Sequence, residues 1–367
     1  PLLLLTVWFL TAAIATTFGQ PVVQTIKLEA AFPALDKIFG DYARQHHFPG
    51  VVYGVVAEGK LVYTGSVGMA NLERKFAANA QSAFRIASMS KSFASVAILQ
   101  LRDKGKLLLD DPAYRYIPEL KSQQYLTSDA EPVTIRQLLT HAAGFPEDNP
   151  WGDRQLGISE EKMLNMFKKG ISFSTVPGTA YEYSNMGFAM LGYIITKVSG
   201  MPYQEYIRKH IWLPLGMNHT YWEYEDVPEA KLAIGYRWLN NNWVKQPMEH
   251  DGAYGIMGGI ITTMDDYAKY TAFVMSAWPA RNGAEEGPLK RSSLREMQQP
   301  WNFNNLNAKY FYPDGRVCPL VSAYGYGLRW TKDCAGRVTV GHSGGLPGFG
   351  SNWTILPDYG IGIISFI

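Results

Sequence analysis

Ser88-Met89-Ser90-Lys91 sets a hydroxyl and an amine three residues apart. On a helix that spacing puts both groups on one face, within reach of each other. A lysine so placed can take the serine proton, and the serine oxygen can then attack a carbonyl carbon to form an acyl-enzyme. The amine's ordinary pKa of about 10.4 has to fall for that task, and burial on an apolar helix beside a second cation moves it in that direction. A position at the helix N-terminus adds unpaired backbone N–H groups and the positive dipole end where an oxyanion develops. The chain holds a second S-x-x-K, Ser159-Glu160-Glu161-Lys162. There the serine reads as an N-cap with two glutamates in the first turn and the amphipathic MLNMFKK behind it, so this motif belongs to a solvated helix.

Two further groups could complete such a site. Tyr183-Ser184-Asn185 follows a Pro177-Gly178 turn and precedes the apolar GFAMLGYIITKVSG, so it is expected at a helix start. A tyrosine there can relay the proton, its phenol lowered toward phenolate by Lys91 and a second cation, and Asn185 can donate to a substrate carbonyl or to the lysine. Gly341-His342-Ser343-Gly344-Gly345 closes a β-like run. Its glycines allow a substrate backbone to approach an edge strand, with the Gly345 N–H free to act as the second oxyanion donor. A neutral His342 ring can donate to Tyr183 or to a carbonyl.

The elements that must hold these groups are mixed. Helical spacing over 34–46 gives way to alternating strands at 51–56 and 60–66 around the Glu58-Gly59 turn, and 91–101 is apolar nearly all round, a buried helix stopped by Gly105. From about 107 to 248 the pattern is mainly helices and Pro-rich loops, and strand-like runs return at 256–262, 324–330, 338–341, 352–356 and 361–367. A sheet built from both ends of the chain and interrupted by a largely helical insertion follows from that order.

The 367 residues are 47% hydrophobic and 18% charged with a net charge of +2, and no Lys/Arg run exceeds two residues, which excludes disorder and makes nucleic acid an unlikely partner class. Residues 1–19 carry no charge and read as part of a secretory signal, with a transmembrane anchor as the alternative; export makes the mature domain periplasmic or secreted, with no stable membrane insertion. Cys318 and Cys334 form either a disulfide or two buried thiols. Seven histidines include no pair at metal-ligand spacing, and no cofactor is expected. His141 reads as a structural residue in a helix-end loop, Asp265-Asp266 as a helix start, and Trp151 and Trp222 as residues that could line a substrate pocket.

Taken together, Ser88/Lys91, Tyr183/Asn185 and His342/Gly344 resemble the S-x-x-K, Y-x-N and K/H-x-G order of the serine β-lactamase and penicillin-binding-protein superfamily. The likeness is to its class C-like branch of D-aminopeptidases, D-alanyl-D-alanine carboxypeptidases and esterases. Leu138 to Gly144, the LPLGM of 213–217 and Gly258-Gly259 with 262–266 support it, over about 35–367. The resemblance implies an α+β fold, an antiparallel sheet flanked by helices with an inserted all-helical subdomain and the site in the cleft between them. It also implies a C-terminal helix, so that a chain stopping at Ile367 is expected to be a fragment. As to function it implies Ser88, Lys91 and Tyr183 as catalytic residues and Asn185, His342, Gly344 and Gly345 as substrate-binding ones. The activity expected is an exported acyl-enzyme hydrolase of small peptides, amides or esters. The alternatives are a β-lactamase or cell-wall carboxypeptidase, and a sensor module that acylates without turnover. Histidine at 342, where penicillin-destroying relatives carry lysine, weakens the expected anchor for an anionic substrate. Oligomeric state stays open.

Overall fold

A computed structural model describes residues 28–149 and 151–367; the signal-like stretch 1–19 lies outside them. Helix α1 (Phe32–Gln45) leads into the hairpin of β1 (Gly50–Ala57) and β2 (Lys60–Asn71), followed by the short β3 (Phe76–Ala77) and β4 (Phe84–Arg85). The buried helix α2 (Lys91–Asp103) ends as its sequence predicts: Gly105 has φ +67°, its N–H donates to Arg102 O, and Lys106 N–H reaches back to Leu101 O. Helices α3 (Ile135–Leu139), α4 (Glu160–Lys169), α5 (Asn185–Ser199) and α6 (Tyr203–Ile207) follow, then β5 (Thr220–Tyr221) and a hairpin of β6 (Tyr236–Leu239) and β7 (Asn242–Lys245). After β8 (Ile261–Thr262) come α7 (Met264–Met275), α8 (Arg291–Met297) and six strands, β9 (Asn302–Phe311), β10 (Val317–Tyr324), β11 (Arg329–Asp333), β12 (Val338–Leu346), β13 (Phe349–Leu356) and β14 (Ile361–Phe366).

The main sheet is antiparallel in the order β3-β2-β1-β14-β13-β12-β11-β10-β9. The first and last long strands of the described residues, β1 and β14, pair with each other, as the two-ended sheet requires. Helix α1 covers Val51 and Tyr53 on one face, and α7 packs Met264, Tyr267 and Tyr270 on the other, where Trp353, Ile364 and Phe366 lie fully buried.

Several runs differ from the sequence expectation. Most of 256–262 is not strand: Gly255–Met257 is a 3-10 turn, Gly259 N–H closes on Gly255 O, and only β8 remains, in a small separate sheet with β4 and β5. Of the 324–330 run, Tyr324 ends β10 and Arg329 and Trp330 begin β11, while 325–328 is the turn between them. The run looks strand-like because Tyr324, Tyr326 and Leu328 are buried, and a Cβ on Gly327 would stand 2.4 Å from Ser95 Oγ and 2.8 Å from Lys91 O. The hairpin β6–β7 interrupts the mainly helical 107–248, and β9, exposed along most of its length, carries no apolar alternation to announce it. Cys318 and Cys334 are joined as a disulfide that ties β10 to the turn after β11.

Candidate active site

Ser88 lies in a 3-10 turn, Ala87–Ser90, that feeds directly into α2. Ala87 adopts φ +48°, a left-handed conformation that costs a non-glycine residue about 1–3 kcal/mol and persists only where its surroundings impose it. The surroundings are visible: Ile86 N–H donates to Ile260 O at 2.9 Å, and Ile86 O accepts from Ser351 Oγ at 2.7 Å. Gly344 of β12 presses on the same turn, so closely that a Cβ there would sit 2.3 Å from Ile86 O. Strand and turn thus fix Ser88 half-buried at the floor of a cleft of about 450 Å³ lined also by Glu147, Asn149, Asp153, Tyr181, Tyr183, Arg329, Ser343 and Gly345.

Lys91 is the first residue of α2 and is 0% exposed. Its Nζ stands 3.1 Å from Ser88 Oγ, 2.7 Å from Asn185 Oδ1 and 2.8 Å from Met257 O. Burial pulls its pKa down to about 7; Asp148 and Asp153 oppose the fall and Arg329 assists it. A neutral amine keeps two N–H donors and one lone pair. Asn185 Oδ1 and Met257 O only accept and so take the two donors, which leaves the lone pair facing the Ser88 hydroxyl. The amine is therefore oriented as a base before any substrate arrives.

Asn185 is placed by a clamp that sequence reasoning missed. Asp148 receives the Asn185 and Met186 N–H groups at 2.7 and 2.8 Å at the start of α5, while Ser184 caps the helix by accepting from Gly187 N–H. Asn185 Nδ2 donates to Asn149 Oδ1 at 2.6 Å, which fixes the amide so that its oxygen faces Lys91. Asn185 thus accepts from the lysine, the reverse of the expected donation. His141 supports the same loop: its Nδ1 accepts from Ser184 N–H, and its ring lies 4.2 Å from that of Tyr183 and 4.5 Å from that of Tyr324.

The expectation of a Tyr183 phenolate is not met. Burial holds the phenol well above its ordinary value, and a hydrogen bond with Ser88 offsets only part of that rise. Tyr183 is a neutral hydroxyl beside the nucleophile. His342 is neutral, as expected, but its partners differ from those expected. It is 2% exposed and hydrogen-bonds Tyr324 instead of Tyr183, whose ring lies 6.2 Å from its own: Nδ1 lies 2.5 Å from Ser343 O and Nε2 lies 2.9 Å from Tyr324 Oη. A carbonyl can only accept, so Nδ1 carries the proton, Nε2 accepts from the tyrosine, and no donor is left for a substrate. Burial, with Arg329 and Lys91 nearby, keeps the ring neutral. The cation on the cleft wall is instead Arg329 of β11, paired in register with Gly341; it is exposed and makes no ion pair with a described residue. Ser159 caps α4 by accepting from Lys162 N–H, as its sequence context predicts. Trp222 is packed on Trp212 in the core, whereas Trp151 is 45% exposed beside the cleft.

An antiparallel sheet with helices on its faces, and a serine, a buried lysine and a tyrosine brought together beside β12, define the fold class of serine β-lactamases and penicillin-binding proteins. The family model described as Beta-lactamase matches residues 35–367, and the chain belongs to that family, whose superfamily consists mostly of serine hydrolases. The octameric penicillin-binding protein homologue from Pyrococcus abyssi is similar to it with a TM-score of 0.76 and 27% identity, over 91% of this chain and 73% of the other. Beta-lactamase-like protein 2 of Dictyostelium discoideum is 26% identical over 321 residues, 85% of this chain and 56% of the relative. Protein flp of Staphylococcus aureus (strain N315) is 28% identical over 333 residues, 90% of this chain and 61% of the relative. The chain thus spans less than two thirds of the length of these two relatives.

Proposed function

We propose that this protein is an exported serine hydrolase that forms an acyl-enzyme on Ser88 and acts on small peptides, amides or esters. The observation that carries the reading is the Lys91 amine, fully buried, with both N–H donors taken by carbonyl oxygens and its lone pair on Ser88 Oγ. Lys91 accepts the hydroxyl proton as Ser88 Oγ bonds to the substrate carbonyl carbon. The backbone N–H groups of Ser88 and Gly345, both on the cleft wall, are the oxyanion donors. As the carbon–leaving-group bond breaks, the proton passes from Lys91, with the neutral Tyr183 hydroxyl as relay, to the departing nitrogen or oxygen. Water then attacks the ester carbonyl carbon, giving a proton to Lys91; the C–Oγ bond breaks, Lys91 returns that proton to Ser88 Oγ, and the acid is released. The disulfide supports the export part of the reading, since such bonds persist in oxidising compartments.

One observation favours a β-lactamase or D-alanyl-D-alanine carboxypeptidase as the second reading. Arg329 provides the unpaired cation, able to hold a substrate carboxylate, that His342 does not. Labelling with a fluorophosphonate and with a fluorescent penicillin, while turnover of p-nitrophenyl acetate and a cephalosporin is followed, separates the readings. The hydrolase labels with the fluorophosphonate and turns over the ester faster than the cephalosporin, and Ser88→Ala abolishes both signals while Ser159→Ala keeps them. Faster cephalosporin turnover selects the second reading, and stable labelling without turnover selects a sensor module.

A further inference from the structure

Lys91 is oriented by two acceptors, Asn185 Oδ1 and Met257 O, and the Asp148 clamp accounts for the first. The second belongs to the glycine-rich loop 251–259, which closes around one carboxylate. Asp251 Oδ1 occupies the space that side chains of the loop would take: a Cβ on Gly255 would sit 1.6 Å from it and one on Gly259 3.2 Å. Glycine at both positions is what allows the backbone this approach. Gly252 N–H donates to the same carboxylate. From α6, Gln204 Nε2 donates to Asp251 Oδ2 at 2.7 Å, and Tyr203 Oη donates to Gly252 O at 2.7 Å while lying 3.3 Å from Asp251 Oδ1. Tyr203 Oη also receives the Ile256 N–H, and Asp251 N–H donates to Glu223 Oε1 at 2.9 Å. On the far side of Met257, Gly259 N–H returns to Gly255 O at 2.6 Å. The residues that flank Met257 are therefore tied to Asp251 and Tyr203, or to each other across the Asp251 side chain.

We propose that Asp251 is a positioning residue for the reaction at Ser88: it shapes the 251–259 loop from inside, so that Met257 O stays on the Lys91 amine and the amine's lone pair stays on the serine. This rests on the reading of Lys91 as the base for Ser88. Asp251 does not line the cleft that holds Ser88, and the charges that act on Lys91 are those of Asp148, Asp153 and Arg329, so its effect passes through the backbone of the loop. Tyr203 and Gln204 of α6, Glu223 and the buried Arg85 of β4 are the groups that face it; burial pushes its carboxyl up to about 6, and Glu223 adds to the rise. Truncation at 251 empties the centre of the loop. Burial is the main cause of the lowered Lys91 pKa, and a loop that lets water in relaxes it.

The pH dependence of kcat/KM for p-nitrophenyl acetate, measured on the full chain with Tm alongside, tests the assignment. Asp251→Ala should lower kcat about a hundredfold, the scale of a 1 Å misplacement, and should move the acid limb, near pH 7 in the wild type, up by about one unit as water reaches Lys91. Asp251→Asn keeps the size and one acceptor oxygen but cannot titrate, so it should retain most of kcat and keep the limb near 7. Tyr203→Phe, which loses only the hydroxyl on Gly252 O, should move the limb in the same direction as Asp251→Ala and carries the test if that variant does not fold. Asp266→Asn alters another buried carboxylate, which receives His219 N–H and the Thr220 hydroxyl, and should leave the limb in place even where it lowers Tm. A limb unmoved in folded Asp251→Ala or in Tyr203→Phe, a limb that shifts in Asp251→Asn, or one that moves as far in Asp266→Asn overturns the proposal. A wild-type profile without a limb near 7, or acetate turnover that survives Ser88→Ala, overturns instead the reading of Lys91 and Ser88 beneath it.

Discussion

A buried lysine whose two remaining N–H bonds point at carbonyl oxygens has only its lone pair to offer, and here that lone pair meets Ser88. Lys91→Ala is expected to lower kcat by roughly 10²- to 10⁴-fold, as for loss of a positioned proton-transfer group. Tyr183→Phe is expected to lower kcat in the same range while leaving the acid limb of the pH profile in place, because a phenol held above its ordinary value does not titrate there. Steady-state kinetics on both variants check this, and a limb that moves with Tyr183→Phe would assign the base to the phenol. Arg329, with no partner among the described residues, makes a different prediction. Arg329→Gln should cost a substrate with a free carboxylate about ten- to a hundredfold in kcat/KM and a neutral ester far less. Equal losses on both substrates would remove Arg329 from recognition.

At the scale of elements, the nucleophile's position is set by β12 and β13 pressing on the 3-10 turn in front of α2. Gly344→Ala puts a Cβ 2.3 Å from Ile86 O and 2.5 Å from Ser351 Oγ, so the turn has to move. A displacement near 1 Å at Ser88 is expected to lower kcat about a hundredfold while far-UV circular dichroism stays that of the wild type; undiminished kcat would mean that the turn is held elsewhere. The S-x-x-K at the head of a buried helix, the Y-x-N at a helix start and the glycine-rich strand were legible because each carries a local signature. What was not legible depends on contacts distant in sequence. Asp148, 37 residues from Asn185, has no motif that links it to the helix it clamps. Arg329 sits on a strand whose start was hidden by the buried turn at 325–328 before it. The partner of His342 proved to be Tyr324, 18 residues away, which no spacing rule selects. The fold followed the two-ended sheet, and it departed from expectation where apolar residues serve a buried turn or where an exposed edge strand lacks alternation.

For the whole molecule, the sheet joins the beginning and the end of the described chain at β1 and β14, and the disulfide fastens β10 to the turn after β11 on the side of the sheet that carries Arg329. Closing a loop of this size constrains the unfolded chain by about 3 kcal/mol in the chain-entropy model, so Cys318→Ser with Cys334→Ser should lower Tm by a few degrees, about 1–2 °C per kcal/mol for a domain of more than about 300 residues. Thermal unfolding of the two forms under the same conditions checks it, and an unchanged Tm would show that the bond constrains little. The site itself requires both sides of the molecule, Ser88 and Gly345 at the sheet and Asn185 and Asp148 at the helices, around one buried amine. That amine is tested most directly by the rate at which a fluorophosphonate phosphonylates Ser88 with loss of fluoride, followed by quenched intact-mass spectrometry with peptide mapping between about pH 5 and 9. A single adduct on Ser88 is expected, forming faster as pH rises through about 7, where Lys91 loses its proton, and absent in Ser88→Ala. An adduct on another residue, or a rate that does not change across that range, would contradict a neutral Lys91 as the base for Ser88.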